Sequence, residues 1–203
     1  MTLLPLFPLP NVVLFPGVLL PLHIFEPRYR ALTADALDSD RRLGMVLLQP
    51  GWEPDYDGQP PIFPIGCSGV IVHAARLEDG RYNILLRGLD RFRIVTEDHA
   101  LQYRRAAVET LFDPPLGDGE RSAVSDLRAK LAALLGASYA GPLSSMPDAD
   151  LVHTLAQSLD LEPLEKQALL ERDNLCLRAQ SLVELLEMKQ LLAKMPGTPN
   201  VTH

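Results

Sequence analysis

The stretch PLFPLPNVVLFPG, residues 5–17, contains four prolines and yet is one of the most apolar passages of the chain. Within it, Phe15–Val18 suits a type II turn, because proline is favoured at the second position of such a turn and glycine at the third. We therefore predict two strands in Asn11–Leu22, joined by this turn. Proline has no N–H to donate to an inner strand, which places the other prolines at sheet edges, bulges or strand starts: Pro5, Pro8, Pro10 and Pro21. An apolar segment kinked this often is typical of the wall of a small curved sheet or barrel.

The rest of the first 112 residues is predicted to form one helix and a series of short strands. Pro27 suits the first position of a helix, where its missing N–H costs nothing, and the apolar spacing carries that helix to near Asp38. Apolar runs, and the alternation of apolar with polar residues, predict strands at 43–48, 62–77, 81–87, 91–96 and 104–111. Asp79 and Gly80 favour a hairpin turn between the second and third of these strands.

The composition of the chain changes near residue 113. Eleven of the eighteen prolines lie within residues 1–64, whereas all four lysines lie beyond residue 112, in a part rich in Leu, Ala, Glu and Gln. We place a boundary in the loop Asp113–Gly119 and predict a β-barrel subdomain over 1–112, a helical subdomain over 120–195 and a C-terminal tail over 196–203. A stop signal at Gly136, a capping box from Ser145 to Asp148 and a start signal at Pro163 mark three helices, and Leu175–Lys194 gives a fourth.

Charge and cysteine content narrow the class of protein. The 203 residues carry a formal net charge of −7 with a pI of about 5.2, which argues against nonspecific nucleic-acid binding, because such binding needs a basic surface. Cys67 and Cys176 lie far apart and predict reduced thiols. The apolar passage Val12–Leu22 is broken by Pro16 and is shorter than the roughly 20 residues that cross a bilayer. We expect a cytoplasmic protein without a membrane segment.

Catalytic motifs are absent from the sequence. It contains no GxxxxGK[ST], GxGxxG, HExxH or GxSxG, and its five histidines are scattered without ligand spacing, so we predict no catalytic residue, no metal site and no cofactor. GCSG, residues 66–69, resembles a nucleophile elbow only superficially, since its flanks have the pattern of continuous strand. A small hydrolase using Ser68 or Cys67 stays open as an alternative, and it requires a histidine within about 3.2 Å of either side chain.

Two local features bear on binding. The stretch RGLDRFR, residues 87–93, is the densest basic cluster and favours a hairpin with outward arginines paired to carboxylates, with contact to RNA or to a polypeptide as alternatives. The acidic loop 49–61 carries Trp52, the single tryptophan, and Tyr56. Aromatic residues in such a loop can anchor a partner or fold back to cover the end of the barrel.

Four passages taken in order resemble one known family. LPLFPLPNVVLFPGVLLPLHIFEPRYRAL at 4–32, FPIGCSGVIV at 63–72, DGRYNILLRGLDRFRI at 79–94 and EKQALLE at 165–171 are similar to the N-terminal, substrate-binding domain of Lon proteases. The resemblance implies an α+β fold, in which a PUA-like, mainly antiparallel pseudo-barrel is followed by a C-terminal helical bundle. It also implies a stand-alone protein without the ATPase and protease domains of Lon. The family offers no catalytic residue to carry over.

The resemblance therefore predicts a noncatalytic module that binds unfolded or extended polypeptides, with a protease or a chaperone as a candidate partner. A PUA-like RNA-binding protein is the alternative, although the first 112 residues carry 11 Arg against 13 Asp and Glu, a net charge of −2. An unpaired sheet edge or an apolar groove could capture a strand-like peptide. The residues expected at the peptide-binding site are Phe15, Tyr29, Trp52, Tyr56 and Arg91.

Overall fold

The computed structural model describes residues 3–56, 58–136 and 141–194. The described residues form two compact units, the first built from Met1–Phe112 with His153–Glu171 and the second from Asp113–Val152 with Arg172–His203. The three predicted subdomain ranges stay predictions, and the predicted tail over 196–203 lies outside the described residues. No helix in the described part of the chain is both long and apolar enough to span a membrane.

Strands and helices are both present, so the predicted α+β class is confirmed at this level. The strands are β1 (Leu4–Leu9), β2 (Leu19–Ile24), β3 (Arg42–Leu47), β4 (Ile65–Arg76), β5 (Tyr82–Asp98) and β6 (Arg105–Leu111). The helices are α1 (Pro27–Leu37), α2 (Asp118–Leu135), α3 (Pro142–Ser145), α4 (Asp148–Ser158), α5 (Pro163–Leu170) and α6 (Leu175–Lys194). The predicted starts of α1 and α5 at proline, and the predicted span of α6, are confirmed.

The six strands form one sheet in the order β2-β5-β4-β3-β1-β6, and β6 pairs with β5 as well as with β1. This second pairing closes β5, β4, β3, β1 and β6 into a ring. All pairings are antiparallel except the one between β1 and β3. Register shifts between Cys67 and Gly69, and between Ile94 and Thr96, interrupt the ladders. Such bulges bend a strand and help a sheet to close.

The predicted turn at residues 15–18 is confirmed, but the strand expected before it is wrong. Gly17 has a φ of 78°, and Val18 N–H donates to the Phe15 carbonyl over 3.3 Å. β1 ends at Leu9, because its pairing with β3 stops there and Pro10 cannot continue the ladder. Residues 11–14 therefore have no strand partner, although Leu14 is buried with Phe15.

Two prolines of the opening stretch lie inside a strand. Pro8 belongs to β1 and pairs with Val46 of β3, while the pairing of β1 with β6 reaches only Pro5. Because β6 no longer pairs with β1 at Pro8, the missing N–H of this proline breaks no hydrogen bond between these two strands. The Pro8 carbonyl accepts a hydrogen bond from the Tyr29 hydroxyl over 2.8 Å. Pro21 lies on β2, the edge strand of the sheet, as predicted.

A single 17-residue strand replaces the two short strands predicted over 81–96. β5 pairs with β4 along one edge, and along the other edge it pairs first with β2 and then with β6. At the change of partner, a Cβ on Gly88 would overlap the Phe15 carbonyl oxygen, so only glycine fits. The predicted hairpin between β4 and β5 is confirmed, with Gly80 at a φ of 80°.

The core of the first unit fills the ring of strands. Its buried cluster consists of Leu6, Val46, Leu48, Ile62, Phe92 and Ala106. Phe92 reaches Gly44 and Gly66, where a side chain would collide with its ring. The apolar residues of facing strands therefore interlock at the centre of the ring.

The second unit includes the packed helices α2 and α6. Arg178 of α6 is fully buried, and its guanidinium donates to Asp113 over 2.8 Å and to the Arg172 carbonyl over 3.0 Å. Arg128 of α2 donates to Asp148 and to the Met146 carbonyl, both near the start of α4. The predicted packing of the helices into one bundle stays a prediction.

Candidate functional site

A cavity of about 210 Å³ opens in the first unit beside the start of α1. We call it the α1 cleft. Three segments form most of its lining: Arg28 and Tyr29 of α1, the loop residues Tyr56 and 58–60, and residues 99 and 101–104 between β5 and β6. Pro8 of β1 and Leu48 after β3 complete it.

The loop 49–61 folds back onto the barrel at this point. A short 3-10 turn over Glu53–Asp55 brings Trp52 and Tyr56 together, with their ring centroids 5.3 Å apart in an edge-to-face arrangement. Both rings pack, partly buried, against the core cluster of the ring of strands. Part of the aromatic surface of the loop is thus buried against the core.

Polar contacts fasten the same loop to α1. The Tyr56 hydroxyl donates to Glu26 over 2.7 Å, and Arg28 donates to the other oxygen of Glu26 over 3.0 Å and to the Tyr56 carbonyl over 3.1 Å. The Arg28 guanidinium also lies over the rings of Tyr29 and Tyr56, 4.7 and 4.8 Å from their centroids. Burial, and then the hydrogen bond to Glu26, raise the pKa of Tyr56, so this hydroxyl stays a donor at neutral pH.

Tyr29 forms the floor of the α1 cleft. Its ring packs edge-on against Phe7 at 4.1 Å, and its hydroxyl donates to the Pro8 carbonyl over 2.8 Å. Burial is the largest cause that raises the pKa of Tyr29 above the ordinary tyrosine value. The ring is therefore a fixed, neutral surface.

The opposite wall comes from residues 99–104. Tyr103 donates its hydroxyl to Asp35 over 2.6 Å, while Arg104 donates to the Pro60 carbonyl over 2.6 Å and pairs with Glu97 over 2.5 Å. Leu101 is 43% exposed and lines the same cleft. The wall offers an aromatic ring and an aliphatic side chain to an incoming group.

The charges of the cleft are compensated. Arg28 pairs with Glu26 and Arg104 pairs with Glu97, so each lining arginine already has a carboxylate. An additional anion would compete with these ion pairs. The cleft is therefore better suited to an uncharged, largely apolar group than to a phosphate or a free carboxylate.

The structure brings together three of the five predicted site residues. Tyr29 and Tyr56 line the α1 cleft, and Trp52 packs on Tyr56. Phe15 is fully buried and stacks on His153 at 6.1 Å. Arg91 is 4% exposed, and its guanidinium donates to the Leu170 carbonyl over 3.1 Å.

The wall formed by residues 99–104 was missed in the sequence. A signal was present, because Leu101 and Tyr103 are large apolar residues in a connection between two strands, where exposed polar residues are the norm. Nothing in the spacing indicated that this connection faces the loop 49–61. That proximity follows from the pairing of β6 with both β1 and β5.

The residues named for a hydrolase have other contacts. Ser68 lies in β4, where its hydroxyl donates to the Asp90 carbonyl over 3.1 Å and accepts from Asp90 N–H over 3.3 Å. Cys67 is fully buried. Within residues 3–56, 58–136 and 141–194, no three His, Cys, Asp or Glu side chains gather in an arrangement that could hold a metal ion.

The basic stretch at 87–93 is divided between surface and interior. Arg87 and Arg93 are exposed on β5, whereas Arg91 is buried. The buried guanidinium bonds to the protein itself. This division weakens the RNA alternative, which needs its arginines together on one exposed face.

Comparison with known proteins points to one family. Lon protease 2 of Myxococcus xanthus is 28% identical over 201 residues, which cover 95% of this chain. Lon protease of Escherichia coli strain K12 is 29% identical over 193 residues, or 91% of this chain. The chain spans 24% of the length of each of these relatives.

Two solved structures have the same fold. The N-terminal domain of a Mycobacterium avium complex Lon protease superposes with a TM-score of 0.74 at 18% identity, over 92% of this chain and 98% of that one. A Lon N-terminal domain protein from Xanthomonas campestris gives a TM-score of 0.59 at 25% identity, over 97% of this chain and 100% of that one. The family model for the ATP-dependent protease La (LON) substrate-binding domain matches residues 3–188, and the chain belongs to this family.

Proposed function

We propose that this chain binds unfolded or extended polypeptides through the α1 cleft and catalyses no reaction itself. Support comes from its membership of the LON substrate-binding domain family. A protease or a chaperone that receives the bound polypeptide is the partner that this role requires. We place the protein in the cytoplasm, in line with its two free cysteines.

The observation that carries the proposal is the combination of size and chemistry in the α1 cleft. A cavity of roughly 150 Å³ lined by apolar groups holds a benzene molecule, so a cavity of about 210 Å³ has room for one large side chain. Tyr29, Tyr56, Tyr103 and Leu101 offer it an apolar surface. The amides of Gln59 and Gln102 also line the cleft and can bond to the backbone on either side of the inserted side chain.

We also infer that the first unit is a PUA-like pseudo-barrel and that the later helices form a bundle. The closed ring of five strands supports the first inference, because each of these strands pairs on both sides over part of its length. The packing of α2 on α6 supports the second.

The single tryptophan makes the proposal testable. Trp52 lies 5.3 Å from Tyr56, which lines the α1 cleft, so a side chain that enters the cleft is expected to change the Trp52 emission. We expect a saturable change when the protein is titrated with a permanently unfolded polypeptide, and none with the same polypeptide in a folded, disulfide-bonded form.

A matched pair of variants assigns the binding to the cleft. Leu101→Asp places a carboxylate in the cleft and is expected to weaken binding about tenfold, because the burial of a leucine side chain contributes roughly 1.5–3 kcal/mol. Val95→Asp introduces the same charge at an exposed position of β5 outside the cleft lining and is expected to change the affinity less than about twofold. Equal losses in both variants, or no saturation with the native chain, would overturn the proposal.

A further inference from the structure

A second cavity, of about 340 Å³, lies on another side of α1 within the first unit. It is lined by Pro27, Arg30, Ala31 and Ala34 of α1 and by Arg76, Gly80 and Tyr82 of the hairpin between β4 and β5. We call it the hairpin pocket. It shares no lining residue with the α1 cleft, and the polypeptide-binding proposal makes no use of it.

The side chain of Arg30 packs against the turn of the hairpin. Gly80 has a φ of 80° and no side chain, and a Cβ at this position would overlap the Nη2 atom of Arg30. The guanidinium of Arg30 therefore lies directly on the backbone of the turn. Leu77 and Arg81 close the turn through a hydrogen bond of 2.8 Å, so the surface under Arg30 is held by the sheet.

Arg76 enters the pocket from the strand side. Its guanidinium carbon lies over the Tyr82 ring, 5.9 Å from the ring centroid, which is at the outer limit of a cation–π interaction. Such a contact orients the guanidinium and leaves its N–H groups free to donate at their edges. Tyr82 is 7% exposed and also lines the pocket. Two guanidinium groups and one phenol thus line the same pocket.

Neither arginine of the pocket forms a close ion pair with a described residue, although Arg30 is near enough to Asp79 to interact with it electrostatically. Among the residues that the structure describes, Arg30 and Arg76 form no ion pair within 4.0 Å, and no Asp or Glu lines the pocket. The nearby Asp79 is occupied by Arg81, with a distance of 2.6 Å between Nε and Oδ2. The arginines of the α1 cleft, in contrast, are both paired.

Two guanidinium groups that line one pocket without a close ion pair form a site for an oxyanion. A carboxylate has two oxygens and is satisfied by one guanidinium fork, whereas a phosphoryl group presents three oxygens and up to two charges and can engage two forks. On a chain with a net charge of −7, a local concentration of positive charge is also an exception to the general field. We propose that the hairpin pocket binds a phosphomonoester or inorganic phosphate through Arg30 and Arg76.

Inorganic phosphate is the probe for the test. We expect the side-chain Nε–Hε signals of Arg30 and Arg76 in ¹⁵N-labelled protein to shift saturably with added phosphate at constant ionic strength. Acetate at the same concentrations is expected to produce smaller, non-saturating shifts. Affinity should fall when sodium chloride is added, since the site is open to solvent and is screened by salt.

Variants with a matched control decide the assignment. Arg30→Gln and Arg76→Gln are each expected to weaken phosphate binding about tenfold, because a hydrogen bond to a charged group contributes about 1.5–3 kcal/mol. Arg93→Gln removes an exposed arginine of β5 outside the pocket and is expected to leave the affinity unchanged. Arg76→Lys keeps the positive charge but lacks the paired N–H donors of a guanidinium. A loss of phosphate affinity close to that of Arg76→Gln therefore supports bidentate binding by both arginines.

Titrations with other ligands distinguish a phosphomonoester from free inorganic phosphate. Phosphoserine and a phosphoserine peptide that bind with the same dependence on Arg30 and Arg76 support a phosphomonoester ligand, and phosphate binding alone supports the free ion. Three results would overturn the proposal: no saturable shift at either arginine, equal losses in the Arg93→Gln control, or tighter binding of single-stranded RNA than of phosphate through the same two arginines.

Discussion

At the scale of single residues, Tyr103 shows how one hydroxyl joins separate parts of the barrel. It precedes β6, lines the α1 cleft and donates to Asp35 of α1 over 2.6 Å. Burial, followed by the hydrogen bond to this carboxylate, raises the pKa of Tyr103 to about 12. The neutral phenol is therefore the form that the folded state favours.

This shift predicts a loss of stability at high pH. The ordinary pKa of tyrosine is about 10, so the contribution of Tyr103 is complete below pH 10 and is lost as the pH rises towards 12. We expect the urea midpoint of the native chain to fall more steeply between about pH 10 and 12 than that of Tyr103→Phe. Tyr29 and Tyr56 titrate in both proteins, so the difference isolates Tyr103. Parallel curves would contradict the assignment.

At the scale of elements, the change of partner along β5 depends on one glycine. Gly88 N–H donates to the Val18 carbonyl over 2.9 Å, and its own carbonyl accepts from Gly17 N–H over 3.0 Å. The turn at residues 15–18 thus docks directly on the backbone of β5. A side chain at position 88 would push the turn away from the strand.

Gly88→Ala is therefore expected to destabilise the protein by about 2 kcal/mol, the usual range for an overpacked interior site being roughly 1–3 kcal/mol. Gly119→Ala is the matched control. Gly119 lies in the first turn of α2 with open space around it, and alanine there is expected to stabilise by up to about 1 kcal/mol. Urea unfolding of the three proteins measures both effects. A neutral Gly88→Ala would show that the turn can retreat without cost.

At the scale of the whole molecule, helix α5 is bound to the strands of the first unit by residues far apart in sequence. Arg91 of β5 donates to the Leu170 carbonyl at the end of α5, and Gln167 donates to the Ile65 carbonyl of β4 over 2.9 Å. The first of these pairs is separated by 79 residues and the second by 102. Arg91 thus satisfies a carbonyl at the C-terminal end of a helix, where intrahelical donors are lacking, and Gln167 satisfies a carbonyl at the start of β4.

Arg91→Ala is expected to destabilise the first unit by about 2–3 kcal/mol, because it leaves buried acceptors without their charged donor. Arg93→Ala, at an exposed position two residues away, is expected to stay within about 0.5 kcal/mol of the native chain. Below the unfolding transition, Arg91→Ala should bind the unfolded polypeptide with native affinity. A binding defect in the folded variant would instead place Arg91 in the recognition site.

Much of the local structure was predictable from neighbouring residues. Pro27 marked the start of α1, and Gly17 and Gly80 marked turns that need a positive φ. The aromatic pair Trp52 and Tyr56 marked a loop with two possible roles, and the structure shows that it contacts the core. Each of these signals acts through steric or hydrogen-bonding preferences over a few residues. The sequence alone was therefore sufficient to state them, together with the family resemblance.

The long-range pairing of strands decided the rest. The joining of residues 82–98 into one strand, the closure through β6 and the burial of Arg91 each depend on partners tens of residues away. The same closure brings Leu101 and Tyr103 opposite Tyr29 and makes the α1 cleft. The sequence by itself determined the helix starts at proline, the span of α6 and the turns that need glycine. Tertiary structure decided where strands begin and end and which side chains meet, because burial and pairing are properties of the closed barrel and not of any one segment.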